Sequence, residues 1–380
     1  MYAKPLSRPQ ATPLMSPHTA GPAGACLALV LASCTIPPVV TPPPPPPKPV
    51  EAHDFIEQSL PAGVSDRDGW VADIYDGFKT LDIEPTREHV CAVVAVIEQE
   101  SSFRVDPVVP GLGQIAWREI DRRADNAGIP HVVVHEVLQL KSPTGQSYGD
   151  RINAARTEKQ LSDIFEDFTG SLPLGRTLFA SWNPIRTRGP MQVNVAFAEQ
   201  FATTRPYPYP IKTSVAEETF TRRGSVYFGI AHLLAYRAPY DRYLYRFADY
   251  NAGQYSSRNA AFQNALGVAS NSNLVPDGAL LPHEGGNPGD TELAARSLEG
   301  RLHLTDDAIH GALEQARTEG FESTLLYRQV FALARQQAAH GLPAAQIPRI
   351  QLKGPKIARK LTTDWYAHRV DERFRHCLAQ

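Results

Sequence analysis

The order of apolar and polar positions changes most sharply between Val90 and Phe103. Eight consecutive apolar residues, Val90 to Ile97, run directly into Glu98-Gln99-Glu100-Ser101-Ser102. Pro85 and Thr86 precede the run and read as a helix start, with Thr86 as N-cap and Glu88 in the first turn. A stretch that is apolar all round fits a helix buried on every side, although its β-branched residues also allow a buried strand. The pattern from Arg87 to Ser102 is too long for a typical strand and predicts a helix. Glu100 then sits in the last turn of a core helix, where a buried rod meets a cleft. Partial desolvation there would raise a carboxylate's pKa, which suits a general acid. A solvated helix end is the alternative.

The rest of the body predicts a mainly α fold. Asp54 to Leu81 carries Trp70, Ile74, Phe78 and Leu81 at helical spacing and should pack beside the core helix. Helical patterns follow at Ala116 to Ala124, stopped by Asn126-Ala127-Gly128-Ile129-Pro130, at about Asp150 to Phe168, and at Val195 to Ala202. Gly267 to Thr291 is rich in Gly, Asn, Ser and Pro and reads as a long loop. Beyond it lie amphipathic helices at Asp306 to Thr318, capped by Thr305, and Thr324 to His340, ended by Gly341. Arg349 to Leu352 suggests a short strand. A last helix, Asp364 to Leu378, carries Trp365, Tyr366, His368, Phe374 and Cys377. Residues 267–380 show no catalytic motif, and their apolar stripes predict a helical extension packed on the body.

The N-terminus follows another pattern. Lys4 and Arg8 are the only charged residues before Cys34, and the apolar run from Ala25 to Ala32 is too short to span a bilayer. Leu31-Ala32-Ser33-Cys34 resembles the lipobox that closes a bacterial lipoprotein signal peptide. That resemblance implies a signal over residues 1–33, acylation of Cys34 and anchoring to a membrane. With Thr35 in place of aspartate it implies the periplasmic face of a Gram-negative outer membrane. An ordinary cleaved signal is the alternative. Residues 34–53, with Pro42 to Pro47 at their centre, read as a polyproline II tether. At ~3.1 Å per residue, about twenty residues hold a body up to ~60 Å from the lipid.

Composition adds limits. The chain is 42% hydrophobic and 21% charged with a formal charge of −2, so nothing suggests a nucleic-acid partner. Its 33 prolines are concentrated near the N-terminus. No pair among Cys26, Cys34, Cys91 and Cys377 has metal-ligand spacing. Cys91 and Cys377 fit either a disulfide in an oxidising compartment or two separate buried thiols. His131 and His135 stand at i and i+4, but Glu136 is their only obvious partner and the intervening valines argue against a metal site.

Three segments carry a resemblance. Ile97-Glu98-Gln99-Glu100-Ser101-Ser102-Phe103 resembles the first motif of the lytic transglycosylase and goose-type lysozyme superfamily. Gly189-Pro190-Met191-Gln192-Val193-Asn194 is similar to its Gly-Leu-Met-Gln-Ile segment. Phe247-Ala248-Asp249-Tyr250-Asn251-Ala252-Gly253 is similar to its Ala-Tyr-Asn-Ala-Gly segment, and Gly224 to Leu234 resembles the helix between them. The likeness covers Thr86 to Phe103 and about Thr187 to Leu266, under a third of the chain. It implies a lysozyme-like catalytic domain over residues 54–266. One departure stands out, because residues 104–188 intervene between the first two motifs. This insertion borders the cleft and is a candidate for capping it or binding a protein partner. The whole chain also resembles an uncharacterised family of bacterial lipoproteins, from which no activity carries over.

The first resemblance implies cleavage of peptidoglycan glycan strands without metal or cofactor. Glu100 would protonate the oxygen between N-acetylmuramic acid and N-acetylglucosamine. It would then act as base on the muramoyl C6 hydroxyl, which closes a 1,6-anhydro ring. Ser101 is placed to bond the carboxylate or a sugar, Gln192 and Asn194 to bind sugar hydroxyls and N-acetyl groups, and Met191 to pack beneath the cleft. Tyr250 is expected to bring its hydroxyl near Glu100, and Asn251 to order the loop or bind substrate. Glu199, Glu217, Glu218 and Asp249 are the candidates for a second carboxylate. Should one face Glu100, hydrolysis of the same bond competes. A peptidoglycan-binding protein without turnover is the non-enzyme alternative.

Overall fold

A computed structural model describes residues 49–172, 183–282, 287–338, 340–352, 354 and 359–380. The chain separates into units Met1–Pro45 and Pro46–Gln380, and the description concerns the second. Cys34, the signal segment and most of the tether lie outside the described residues. The fold is mainly α-helical, as the periodicity predicts.

Helix α1 (Pro49–Ser59) begins inside the last residues assigned to the tether and is followed by α2 (Arg67–Leu81). The single helix expected over Asp54 to Leu81 is therefore two, broken at Leu60-Pro61-Ala62-Gly63, where Gly63 takes a φ of 83°. Helix α3 (Arg87–Ser101) is the predicted core rod. Thr86 caps it by accepting a hydrogen bond from the His89 amide, and Val90 through Ile97 are each at most 2% exposed. Full burial of each Val or Ile contributes roughly 1.5–3 kcal/mol, so tertiary packing holds this β-branched helix against its weak intrinsic propensity.

The described residues of the insertion form four helices, α4 (Leu112–Ala127), α5 (His131–Val137), α6 (Tyr148–Ala154) and α7 (Glu158–Ser171). The helix expected over Asp150 to Phe168 is split, because Thr157 leaves the helix and caps α7 through the Gln160 amide. Leu112, Ala116, Tyr148, Ile152, Leu161 and Ile164 form a small core of their own, completed by Ile185 near the insertion's end and by Phe220 from outside it.

A two-residue hairpin, β1 (Thr187–Arg188) with β2 (Val193–Asn194), pairs Thr187 with Asn194 and Arg188 with Val193. Next come α8 (Val195–Thr204), α9 (Val215–Glu218), α10 (Arg222–Leu234), α11 (Tyr243–Ala252) and α12 (Ser256–Ser270). Helices α2, α3, α10 and α11 enclose the main core.

The C-terminal region does two things where one was expected. Helices α13 (Asp290–Arg296), α14 (Glu299–Leu302), α15 (Asp306–Glu314) and α16 (Leu325–Gln337) close a second core on α12, around Phe262, Leu313, Phe321 and Val330. The expected helix over Asp306 to Thr318 ends as α at Glu314 and continues as 3-10 turns. The short strand is β3 (Gln351–Leu352), paired with β4 (Leu361–Thr362). Helix α17 (Thr363–Leu378) returns to the main core, antiparallel to α3 and against α11. Its buried stripe, Thr363, Tyr366, Ala367, Val370, Phe374 and Cys377, has helical spacing.

Candidate active site

The site grows from the end of α3. Ser102 and Phe103 follow it with φ of 51° and 60°, a left-handed pair that costs non-glycine residues energy. The reward is packing: Phe103 is buried and meets Trp70 edge-on at 5.1 Å. The chain thus leaves the rod in a sharp turn, and Glu100 stays half-buried at its rim. The Ser101 hydroxyl donates back to the Ile97 carbonyl at 3.1 Å, a bond along its own helix and not to Glu100 as expected.

The second motif is a turn seated on α10. Gly189 has a φ of 71°, and a Cβ there would lie 2.1 Å from the Thr219 carbonyl oxygen, so only glycine fits. The Met191 amide donates to Ser225 Oγ at 3.0 Å. Its thioether occupies the space left by Gly229, where a Cβ would come 2.3 Å from the sulfur. Ser225 and Gly229, one turn apart on α10, are the seat for Met191, which packs fully buried as expected.

The third motif grips that turn. The Tyr250 hydroxyl donates to the Met191 carbonyl at 2.7 Å. The ring of Tyr250 also faces His232 at 4.9 Å, and His232 faces Phe197 at 4.5 Å. Burial holds His232 down to about 4, so it is a neutral packing group. Asp249 is a buried hub that accepts from the hydroxyls of Tyr236 and Tyr240, from the Ser257 amide at 2.7 Å and from the Tyr255 amide at 3.1 Å. Of the aromatic residues between Tyr227 and Tyr255, Tyr227, Phe228, Phe247, Tyr250 and Tyr255 are buried in such packing.

A residue from outside all three motifs completes the site. The Tyr366 hydroxyl on α17 lies 2.5 Å from Glu100 Oε1. Burial first, and the charge of Glu100 second, push the ionisation of both Tyr366 and Tyr250 well above the usual phenol range. The Glu100 charge therefore acts on both phenols, and the Tyr250 hydroxyl is bonded to the Met191 carbonyl of the second motif and not to Glu100. The C-terminal region thus places a phenol against Glu100. A signal for it existed in the two cysteines. Cys91 and Cys377 are bonded, with Cα atoms 5.5 Å apart. At about 1.5 Å per residue, Glu100 lies ~14 Å along α3 from Cys91, and Tyr366 ~16 Å back along α17 from Cys377. An antiparallel pair clamped at one end brings the two side by side.

The remaining expected ligands are engaged by the protein. Gln192, in a left-handed turn at φ 48°, donates to Glu158 Oε2 at 3.2 Å and accepts from Thr187 Oγ1 at 2.9 Å. Its amide thus faces α7 of the insertion. Asn194 caps α8 by accepting from the Phe197 amide at 3.2 Å. Asn251 accepts from Thr363 Oγ1 at 2.8 Å and clasps the start of α17. Glu217 pairs with Arg188 and Lys159. Glu218 is buried and accepts from the Tyr207 hydroxyl at 3.5 Å. Glu199 is exposed on α8. His131 and His135 bond Asp125 and Asp121 at 2.7 and 2.8 Å. Among the described residues no cluster of His, Cys, Asp or Glu is arranged to hold a metal. A cavity of about 510 Å³ opens beside the turn after α3, lined by Trp70, Phe103, Arg104, Asp106, Val108 and Arg222, and Glu100 is not in its wall.

Residues 63–380 match the family model described as protein of unknown function (DUF1615). The chain is also 48% identical over 352 residues to a protein described as "Uncharacterized protein YaiW" of Escherichia coli (strain K12). That alignment covers 93% of this chain and 96% of the relative. No solved structure matches the chain.

Proposed function

The chain belongs to the DUF1615 family, and we propose that it is a lipid-anchored peptidoglycan lytic transglycosylase with Glu100 as acid and then base. The observation that carries this reading is the cluster of Glu100, Tyr250 and the Met191–Gln192 turn. The second and third segments, far apart in sequence, are joined by the Tyr250–Met191 hydrogen bond, and the charge of the half-buried Glu100 carboxylate from the first acts on Tyr250. A protein that only bound glycan would have no need of an acid in that place.

The chemistry uses one carboxyl group twice. Protonated Glu100 gives its proton to the glycosidic oxygen, and the N-acetylglucosamine side leaves as an alcohol. The resulting carboxylate takes the proton of the muramoyl C6 hydroxyl. The C6 oxygen bonds to C1 and closes the 1,6-anhydro ring, and Glu100 is protonated again. No water is consumed and no second carboxylate is required. The four candidate second carboxylates support this over hydrolysis. Asp249 is held by four donors, Glu217 and Glu218 are bonded elsewhere, and Glu199 stands on α8 in solvent.

The Cys91–Cys377 disulfide supports an exported protein, since such bonds persist in oxidising compartments. Acylation at Cys34 and residence on the periplasmic face of the outer membrane belong to the same proposal. The test is product chemistry: the full chain is incubated with purified sacculi and the released muropeptides are weighed. Anhydro ends support the proposal, and reducing ends would replace it with a muramidase. Binding without release would leave a peptidoglycan-binding lipoprotein.

A further inference from the structure

We infer that the cavity beside the turn after α3 binds the zwitterionic head of an amino acid, a carbon bearing both an ammonium and a carboxylate, and that it takes this head from an uncrosslinked stem peptide of the glycan. The choice of a stem peptide rests on the reading of peptidoglycan as substrate. The pocket rests on its own walls.

Four charged residues line it, and they fall into two kinds. Arg222 and Asp66 belong to a closed network. Arg222 donates to Asp73 at 2.5 Å and to Asp66, and Asp73 also accepts from Arg223 at 3.0 Å. The Arg222 guanidinium lies over the Trp70 ring at 5.5 Å. Two acids answer two bases there, and no net charge is left for a ligand. Arg104 and Asp106 differ. Among the described residues the Arg104 guanidinium has no hydrogen-bond or ion-pair partner, and Asp106 has no ion pair. Asp106 is met by the Thr157 hydroxyl and, through space, by Lys159, whose ammonium is bonded to Asp163 and Glu217. An unpaired guanidinium and an unpaired carboxylate thus flank an apolar floor of Trp70 and Phe103, with Val105 and Val108 exposed at the rim.

Such a wall suits a ligand that brings both signs at short spacing. The Arg104 fork donates to the ligand's carboxylate, Asp106 accepts from its ammonium, and the floor takes the methylene chain. A plain anion would meet Asp106 as a like charge, and a plain cation would meet Arg104. A stem peptide built on a diamino acid carries this head wherever it is not crosslinked. Crosslinking turns the ammonium into an amide and removes its charge. Reach is adequate, because the four residues from Glu100 to Arg104 span at most ~14 Å, about the length of an extended stem tripeptide.

The test titrates the full chain by calorimetry with N-acetyl-L-alanyl-γ-D-glutamyl-meso-diaminopimelate. The same peptide acetylated on the ammonium of its diamino acid imitates a crosslink, and free meso-diaminopimelate is the third probe. The first peptide should bind about tenfold more tightly than the second. Arg104→Gln and Asp106→Asn should each weaken it about fivefold, and Asp106→Asn should no longer tell the two peptides apart. Both residues are exposed, so both variants should keep the parent Tm. No binding, equal affinity for the two peptides, or variants that bind like the parent would overturn the inference. Diaminopimelate bound as tightly as the tripeptide would overturn the assignment to a stem. Tripeptide binding with no release from sacculi would sink the enzymatic reading and leave the pocket, and release with no tripeptide binding would do the reverse.

Discussion

The Cys91–Cys377 bond offers a prediction whose size follows from the chain itself. Its two ends are 286 residues apart, so it closes most of the described body into one loop. Chain entropy for a loop of that length gives an upper bound of about 5.5 kcal/mol. Residual structure in the unfolded chain lowers the figure, and native disulfides commonly deliver 2–4 kcal/mol. For a body of about 330 residues the unfolding entropy is roughly 0.7 kcal/mol per degree, so the loss in Tm is about 3 to 8 °C. The comparison is the oxidised protein, the protein reduced in mild denaturant and returned to buffer, and the Cys91→Ala/Cys377→Ala variant. Reduced protein and variant should melt together below the oxidised form, and reductant should not change the variant. Peptide mapping without reduction should recover the two cysteines linked. A shift under 1 °C, or recovery of both as free thiols from material made in an oxidising compartment, would refute the clamp between α3 and α17.

Other expectations follow from single residues. His232 is held near 4 when folded against 6.5 unfolded, so between these values the unfolded chain binds more protons and stability falls as pH falls. Stability should drop by about 2 kcal/mol from pH 7 to pH 5, and urea midpoints of His232→Leu should lack that part of the slope. Gly229→Ala would place a Cβ 2.3 Å from the Met191 sulfur and 2.9 Å from the Met191 Cβ, so it should cost about 1–3 kcal/mol by denaturant titration. Ser102 sits at φ 51° and is exposed, so Ser102→Gly should stabilise by about 0.5–1 kcal/mol; a loss would mean that the turn is not strained.

How much of this was legible depended on how local each cause is. Helix α3 could be read because its apolar run, its Thr86 cap and its polar end lie within seventeen residues. The breaks in the two overlong helices were also local, at Pro61–Gly63 and at Thr157. There, strong helical spacing on either side outweighed one turn signal. The seat of Met191 was half legible. Gly189 marked a turn, but nothing near Gly229 said that its missing side chain accommodates a thioether 38 residues earlier in the chain. Gln192 turns to Glu158 because the insertion folds back on the second motif, and no spacing encodes that. Tyr366 was hidden in an amphipathic stripe that any packing helix would show. Only the cysteine pairing, left open beside two free thiols, pointed to it.

The most direct test of the central claim compares the full chain with its Glu100→Gln variant on one preparation of sacculi, with melting curves taken in parallel. Anhydro-muropeptide release should fall to background in the variant while Tm stays within about 2 °C. Release that survives the substitution would contradict the assignment of the proton transfers to Glu100.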